Sequence, residues 1–507
     1  MSRTSNIKRN LLFNAVKYTT QIVLQFVLRT ILIYLMGAEY LGLNGLFTNI
    51  FTFLNLAELG IGSAIVFNMY KPIADGDTEK VKSLQSLYKK FYYIISIIVV
   101  VLGLLLIPAL RFLINGEVSV DINIYVLYIL YLINTLIGYL SAHKRSLLFA
   151  YQRNDIENKV KTICLFGMSI IQIIALFSLR NYYIYFSVSI LFTAIECVLI
   201  HISANKLFPD INGCAEPLDP KTKKDIYKNI SALSMHKIGG VVVFSTDNIL
   251  ISAIIGIVVL GAYSNYYMIV STIAGIFSLF TNALASSVGS LIASSDKEYV
   301  YKKYKQLNFI FSFLSAFTTI CLIVLLQPFV KLWTGGGVYI LNMSSVILMC
   351  VSYYIIRIRA CNGIFKDSAG LFYQNRFSPI LEAVSNLVLS IILGYWIGVN
   401  GIIIGTIISG IIAPIWSEPL ILFKHYFKKS VWNYFKTFII DALIMIVVGA
   451  ICYFVCSFIP DGGIWLLIAK FATCVPLCGI LLLIAYLPSK EFKQTLSTFK
   501  SFIKKSK

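Results

Sequence analysis

Fourteen apolar runs recur along this chain from end to end, and no other feature limits its fold as strongly. They lie at about 11–36, 43–68, 91–114, 122–142, 160–179, 184–205, 238–257, 264–293, 307–333, 340–360, 379–397, 401–423, 437–459 and 464–487. Each is long enough to cross a hydrocarbon core of roughly 30 Å at about 1.5 Å per helical residue. Only 13% of the 507 residues are charged, near half of the roughly 25% usual in soluble domains. A water-soluble fold built from this sequence would expose far too much apolar surface. Soluble enzymes, nucleic-acid-binding proteins and secreted disulfide scaffolds are thereby excluded.

The net charge of +20 is explained by topology. Short, nearly uncharged connections (37–42, 115–121, 180–183, 258–263, 334–339, 398–400 and 460–463) alternate with longer basic ones. Segments 1–10, 69–90, 143–161, 205–237, 295–306, 357–376, 424–436 and 488–507 hold 37 of the 43 Lys and Arg residues. By the positive-inside rule the basic set is cytoplasmic, so both termini are expected inside and the span count is even. The N-terminal run is too long for a cleaved signal, and carries Lys17, Gln21, Gln25 and Arg29 within it.

The ten cysteines lie mostly within spans. The CxxxC pairs Cys452/Cys456 and Cys474/Cys478 read as small packing residues. His143, His201, His236 and His425 are widely separated, so neither a metal site nor a cofactor is expected. No GxxxxGK[ST] phosphate loop occurs, which argues against ATP as the direct energy source. The uncharged connections are too short for a catalytic loop, and no nucleophile motif is present. An enzyme is not expected.

A weak internal repeat relates Leu41–Gly42 to Leu260–Gly261 at an offset of 219 residues, six spans apart. An even number of spans makes the repeats parallel, an arrangement used by transporters. The expected architecture is all-α: a polytopic membrane protein of about 14 transmembrane helices, in two pseudo-symmetric six-helix lobes plus a C-terminal helix pair. The N-lobe is expected over 1–210, a linker over 211–235, the C-lobe over 236–430, and the added pair with a basic amphipathic tail over 431–507. In that tail Phe492, Leu496, Phe499 and Ile503 form one stripe among lysines, and Ile226, Ile230 and Leu233 form another. Both suit anchoring on membrane lipids.

Ionisable groups inside spans are costly and mark candidate sites. Lys17, Gln21, Gln25 and Arg29 stand at strict i+4 spacing, on one edge of the first span. The stripe is expected to line a wet cavity. The second span adds Asn44, Thr48, Thr52, Asn55 and Glu58. The repeat offset carries Arg29 to Asn248, next to Asp247, so a basic and an acidic group stand at matching depth. Arg29 and Asp247 are expected to face a shared cavity, paired in one state and parted in another. Glu196, Glu382, Glu418 and Asp441 also fall in spans, the last three near basic ends where an interfacial role is equally open.

Glu39-Tyr40-Leu41-Gly42-Leu43-Asn44-Gly45-Leu46-Phe47, Leu56-Ala57-Glu58-Leu59-Gly60-Ile61-Gly62-Ser63-Ala64-Ile65 and Tyr70-Lys71-Pro72 resemble the start of Wzx-type polysaccharide flippases. These belong to the multidrug/oligosaccharidyl-lipid/polysaccharide exporter superfamily. Ser245-Thr246-Asp247-Asn248, with Gly256 and Gly261-Ala262-Tyr263-Ser264, is similar to the head of the family's second lobe. The resemblance implies a flippase of the bacterial cytoplasmic membrane, working by alternating access. Its substrate would be an undecaprenyl-diphosphate-linked oligosaccharide repeat unit, moved to the outer leaflet for capsule, O-antigen or exopolysaccharide assembly. A polymerase of the same glycan pathway is the implied protein partner. Related flippases for peptidoglycan precursor also keep an arginine in span 1, which Arg29 resembles, although Thr30 stands where they carry an acidic neighbour. On this reading Arg29, Gln25, Gln21, Lys17 and Asn55 serve the diphosphate and its cavity. Asp247, Glu58 and Asn248 serve gating or coupling to H⁺ or Na⁺. A cation-coupled small-molecule exporter of the same superfamily, with acidic and aromatic cavity groups, is the alternative. A membrane-embedded glycan-assembly enzyme is the third reading.

Overall fold

The computed structural model describes residues 3–58, 61–115, 120, 122–211, 217–220, 222–224, 226–227, 230 and 245–505. Among the described residues every regular element is a helix. Eleven helices among the described residues are long and apolar enough to span a membrane, or twelve when the bent pair Ile124–Leu140 and Ala142–Ala150 is taken as one span. The described parts of the remaining two of the fourteen runs are helical but shorter. Run 43–68 is interrupted by a 3-10 turn at Asn55–Glu58. Run 238–257 is described only as the helix Ser245–Ile255 and the residues that follow it. The chain is a multi-pass membrane protein.

Two compact units make up the chain, Met1–Gly261 and Ala262–Lys507. Much of 211–235 lies outside the described residues, and residues 245–261 group with the first unit. The reason is local. The Asn115 backbone N–H donates to the Ser252 carbonyl at 3.1 Å, and its side chain donates to the Ile254 carbonyl at 2.8 Å. Residues 245–261 are thus tied to the first unit.

The first unit holds α1 (Arg3–Leu35), α2 (Ala38–Leu54), α3 (Ile61–Asp75), α4 (Thr78–Leu106), α5 (Leu110–Leu113), α6 (Ile124–Leu140), α7 (Ala142–Ala150), α8 (Asn154–Leu179), α9 (Tyr182–Leu207) and α10 (Ser245–Ile255). Side-chain caps start several of them. Asp77 accepts from the Lys80 N–H, Asn123 from those of Tyr125 and Val126, and Asn181 from those of Tyr183 and Ile184. Each satisfies donors that the first helical turn leaves free. Gly37, at φ 95°, makes the corner between α1 and α2. Helix α1 packs along α8, α8 on α9, and α9 on α6. The start of α1 is held by Arg9, 2.9 Å from Asp155, a carboxylate that Arg153 also meets at 3.1 Å.

The second unit is built on α12 (Lys297–Thr334), which follows α11 (Ile257–Ser294). Around it come α13 (Met343–Ile358), α14 (Ala360–Ser368), α15 (Ser378–Ile397), α16 (Val399–Gly410), α17 (Trp416–Leu422), α18 (Trp432–Ser457), α19 (Ile464–Tyr486) and α20 (Lys490–Lys505). Ile320 and Val324 of α12 meet Met445 and Val448 of α18 and Leu482 of α19 in one core. Cys452, Cys456, Cys474 and Cys478 are free thiols buried in that core, as packing residues should be. Phe492 at the head of α20 packs on Phe309 of α12, with ring centroids 6.0 Å apart. That contact takes the first residue of the tail's apolar stripe onto the unit, while Leu496 is exposed. The side chains of Phe499 and Ile503 lie outside the described residues, as do Leu233 and His236.

Candidate functional site: a polar cavity in the N-terminal unit

The 3-10 turn that interrupts the second span redirects its polar residues. Asn55 and Glu58 leave the α-helical register and, with Asn44, Thr48 and Thr52 of α2, line a cavity of about 1270 Å³. Helix α4 presents Tyr88 and Tyr92, and α6 presents Tyr131 and Tyr139. The 40° bend between α6 and α7 places Arg145 and Ser146 in the lining, opposite Glu196 of α9.

Hydrogen bonds run through these walls in a directed chain. Ser146 donates to the Tyr88 hydroxyl at 3.0 Å, Tyr88 donates to Tyr92 at 3.1 Å, and Tyr92 donates to the Glu58 carboxylate. Tyr139 donates to Asn55 Oδ1. Asn44 donates to the hydroxyls of Tyr131 and Tyr182, at 3.0 Å and 3.1 Å. Arg145 and Glu196 form an ion pair at 2.9 Å, both partly buried. Glu157 and Lys161 of α8 complete the charged lining. Three carboxylates thus stand against two cations, interleaved with tyrosines.

The residues expected from the sequence distribute unevenly over this geometry. Asn55 and Glu58 lie on the cavity wall. Lys17, Gln21, Gln25 and Arg29 do not line it. Because α1 packs along α8, the wall on that side is made by α8 residues such as Lys161 and Met168. Lys17 and Arg29 are half-buried, and Gln21 and Gln25 are exposed. Arg29 has Tyr131, Tyr182 and Tyr185 as electrostatic neighbours, and Tyr131 is itself a lining residue. Asp247 and Asn248 are buried in α10 and are absent from the lining. Sequence reasoning missed the tyrosines and Arg145. Tyr88 and Tyr92 share an i+4 edge that could have been read, whereas Arg145 sits in a basic segment with nothing to set it apart. Among the described residues no group of three or more His, Cys, Asp or Glu side chains is arranged to hold a metal ion.

Comparison with known proteins gives three findings. The sequence profile of a family described as polysaccharide biosynthesis protein matches residues 7–286. No curated protein matches the chain. Solved structures with the same fold include the lipid II flippase MurJ in an inward closed conformation, at 18% identity and a TM-score of 0.66, covering 94% of this chain and 99% of that one. A multidrug resistance MATE family transporter of the MOP superfamily, inward-facing, aligns at 14% identity with a TM-score of 0.61, over 81% of this chain and 98% of that one. A point mutant of the Vibrio cholerae MATE transporter VcmN aligns at 16% identity with a TM-score of 0.58, over 85% and 99%. At these identities the likeness establishes the fold.

Proposed function

Given that the chain belongs to the polysaccharide biosynthesis protein family, we propose that it is a flippase for an undecaprenyl-diphosphate-linked oligosaccharide repeat unit. It works in a bacterial cytoplasmic membrane with both termini inside, and feeds assembly of a surface glycan. The family match is the observation that carries this reading, and the fold it shares with a lipid II flippase supports it. A polar head group needs a wet path, while a polyprenyl tail stays in lipid. Arg29 holds the diphosphate, whose oxygens match the guanidinium fork. Gln25, Gln21 and Lys17 extend that surface along α1. Asp247, beside Asn248, competes for Arg29 when substrate is absent. Two negative charges moving outward against an interior-negative potential gain roughly 2.3 kcal/mol per charge per 100 mV, so the potential suffices as the drive.

Deleting the gene and following lipid-linked repeat units by leaflet tests the reading. They are expected to accumulate on the cytoplasmic leaflet and to clear when the wild-type gene is returned. Clearance by Arg29→Ala at the wild-type rate would remove Arg29 from the mechanism, and no accumulation at all would remove the function.

One observation favours a second reading. The cavity of the N-terminal unit is acidic and aromatic, with Glu58, Glu157 and Glu196 among tyrosines, which is the lining expected of a cation-coupled small-molecule exporter. Loss of resistance to cationic drugs in the deletion strain, with normal surface glycan, would decide for it.

A further inference from the structure

Nine residues after the start of α18, roughly 14 Å along the helix, Asp441 is 4% exposed within the second unit. It has no part in the site described above. Tyr486 of α19 donates to its Oδ1 at 3.0 Å. Ser312 of α12, Tyr354 of α13 and Tyr434, two turns earlier on α18, are its electrostatic neighbours. These three hydroxyls are buried and meet no protein partner at hydrogen-bonding geometry. The titratable groups facing Asp441 are Tyr354, Tyr434, Tyr486 and, from α20, Glu491. Among the described residues no Lys or Arg forms an ion pair with it, and Glu491 pairs with Lys305 at 3.9 Å. Glu418 is an electrostatic neighbour of Tyr434.

A carboxylate removed from water without a counter-charge costs several kcal/mol, so such groups take up a proton or a cation. The surrounding groups distinguish the two. A hydroxyl both donates and accepts. The Tyr486 hydroxyl donates to the ionised carboxylate and can turn to accept from the neutral acid. A Lys or Arg partner could serve only the charged form. Tyr486 therefore serves both protonation states by turning one hydroxyl. Glu491, an electrostatic neighbour of Asp441 at the head of α20, is one-third exposed.

We infer that Asp441, with Ser312, Tyr354, Tyr434 and Tyr486, is a proton-binding site of the C-terminal unit. A proton drawn from water adds to a carboxylate oxygen of Asp441, converting COO⁻ to COOH with no other bond changed. The site lies on spans 13 and 14 and the helices they pack against, and stands independently of the proposed substrate.

Infrared difference spectroscopy of the full-length protein in lipid nanodiscs tests it, with titration over pH about 4 to 9. The expected result is a reversible carboxylic-acid carbonyl band, one group's amplitude of which is lost in Asp441→Asn. Tyr354→Phe is expected to keep that amplitude and displace its midpoint. Should Asp441→Asn fail to fold, Asp441→Glu is expected to move the band in frequency. Wild-type and Asp441→Asn spectra that overlay throughout would overturn the assignment. So would a wild-type unfolding midpoint that responds to added sodium at fixed pH when that of Asp441→Asn does not, since the site would then bind a metal cation.

Discussion

Gly42 and Gly261 touch backbone to backbone. A methyl group on Gly42 would stand 2.1 Å from the Ile257 carbonyl oxygen, and one on Gly261 would stand 2.2 Å from that of Ala38. The offset of 219 that relates Gly42 to Gly261 also relates Ala38 to Ile257. The contact is therefore reciprocal, each repeat offering its glycine to the other's carbonyl. The repeat noticed in the sequence as a matching Leu–Gly pair has a steric cause: nothing larger than hydrogen fits at either glycine.

Gly42→Ala and Gly261→Ala are each expected to push these segments apart, lowering stability by about 1–3 kcal/mol, the usual cost of overpacking. Thermal unfolding in detergent reads the effect. Gly363→Ala, where a methyl meets nothing within 4 Å, is the control and should be neutral or mildly stabilising.

Arg145 and Glu196 are expected to be coupled. Arg145→Met alone leaves a partly buried carboxylate without its cation and should destabilise more than the double change to Met at both positions. The double-mutant cycle is expected to return an interaction of about 0.5–3 kcal/mol, measured by denaturant or heat.

Tyr92→Phe removes a hydroxyl that donates to the partly buried Glu58 carboxylate and should cost about 1.5–3 kcal/mol, the usual worth of a hydrogen bond to a charged group. With Glu58→Gln already in place the same change should cost less, because the hydrogen bond it removes is no longer charge-assisted.

The spans were legible because a bilayer selects on length and hydropathy, both of which are linear in sequence. The break at Asn55–Glu58 was not. Asn-Leu-Ala-Glu reads as one more helical turn, and only the packing of Tyr92 and Tyr139 against Glu58 and Asn55 marks it as a change of register. The i+4 stripe of α1 was visible, but spacing says nothing of which helix covers an edge, and α8 decides that Lys17 and Gln21 stay off this cavity wall. The wall itself gathers tyrosines from α4 and α6, a convergence that no local pattern encodes. Arg145 counted as one cation among many until the bend after Leu140 turned it inward.

If Arg29 holds a diphosphate, Arg29→Lys should keep the charge and lose the fork, retaining part of the transport that Arg29→Ala loses. Losing a charge-assisted hydrogen bond of about 1.5–3 kcal/mol predicts roughly ten- to hundredfold weaker handling of the lipid-linked substrate. Flipping of a fluorescent lipid-linked oligosaccharide in proteoliposomes measures it.

The span Val399–Phe427 is wound wider than its neighbours, with π turns at Ile411–Ile415 and Phe423–Phe427. Each such turn carries one surplus residue relative to α geometry. Shortening the chain by one residue inside Ile411–Ile415 can be absorbed by tightening the coil, and Trp416 onward keeps its bearing. The same deletion in the middle of α12 has no slack to draw on and would swing every later side chain about 100° around the axis. Among the described residues of the C-terminal unit, π turns occur in this span alone, so here length and orientation are uncoupled, a reserve that lets it twist in place without dragging its ends.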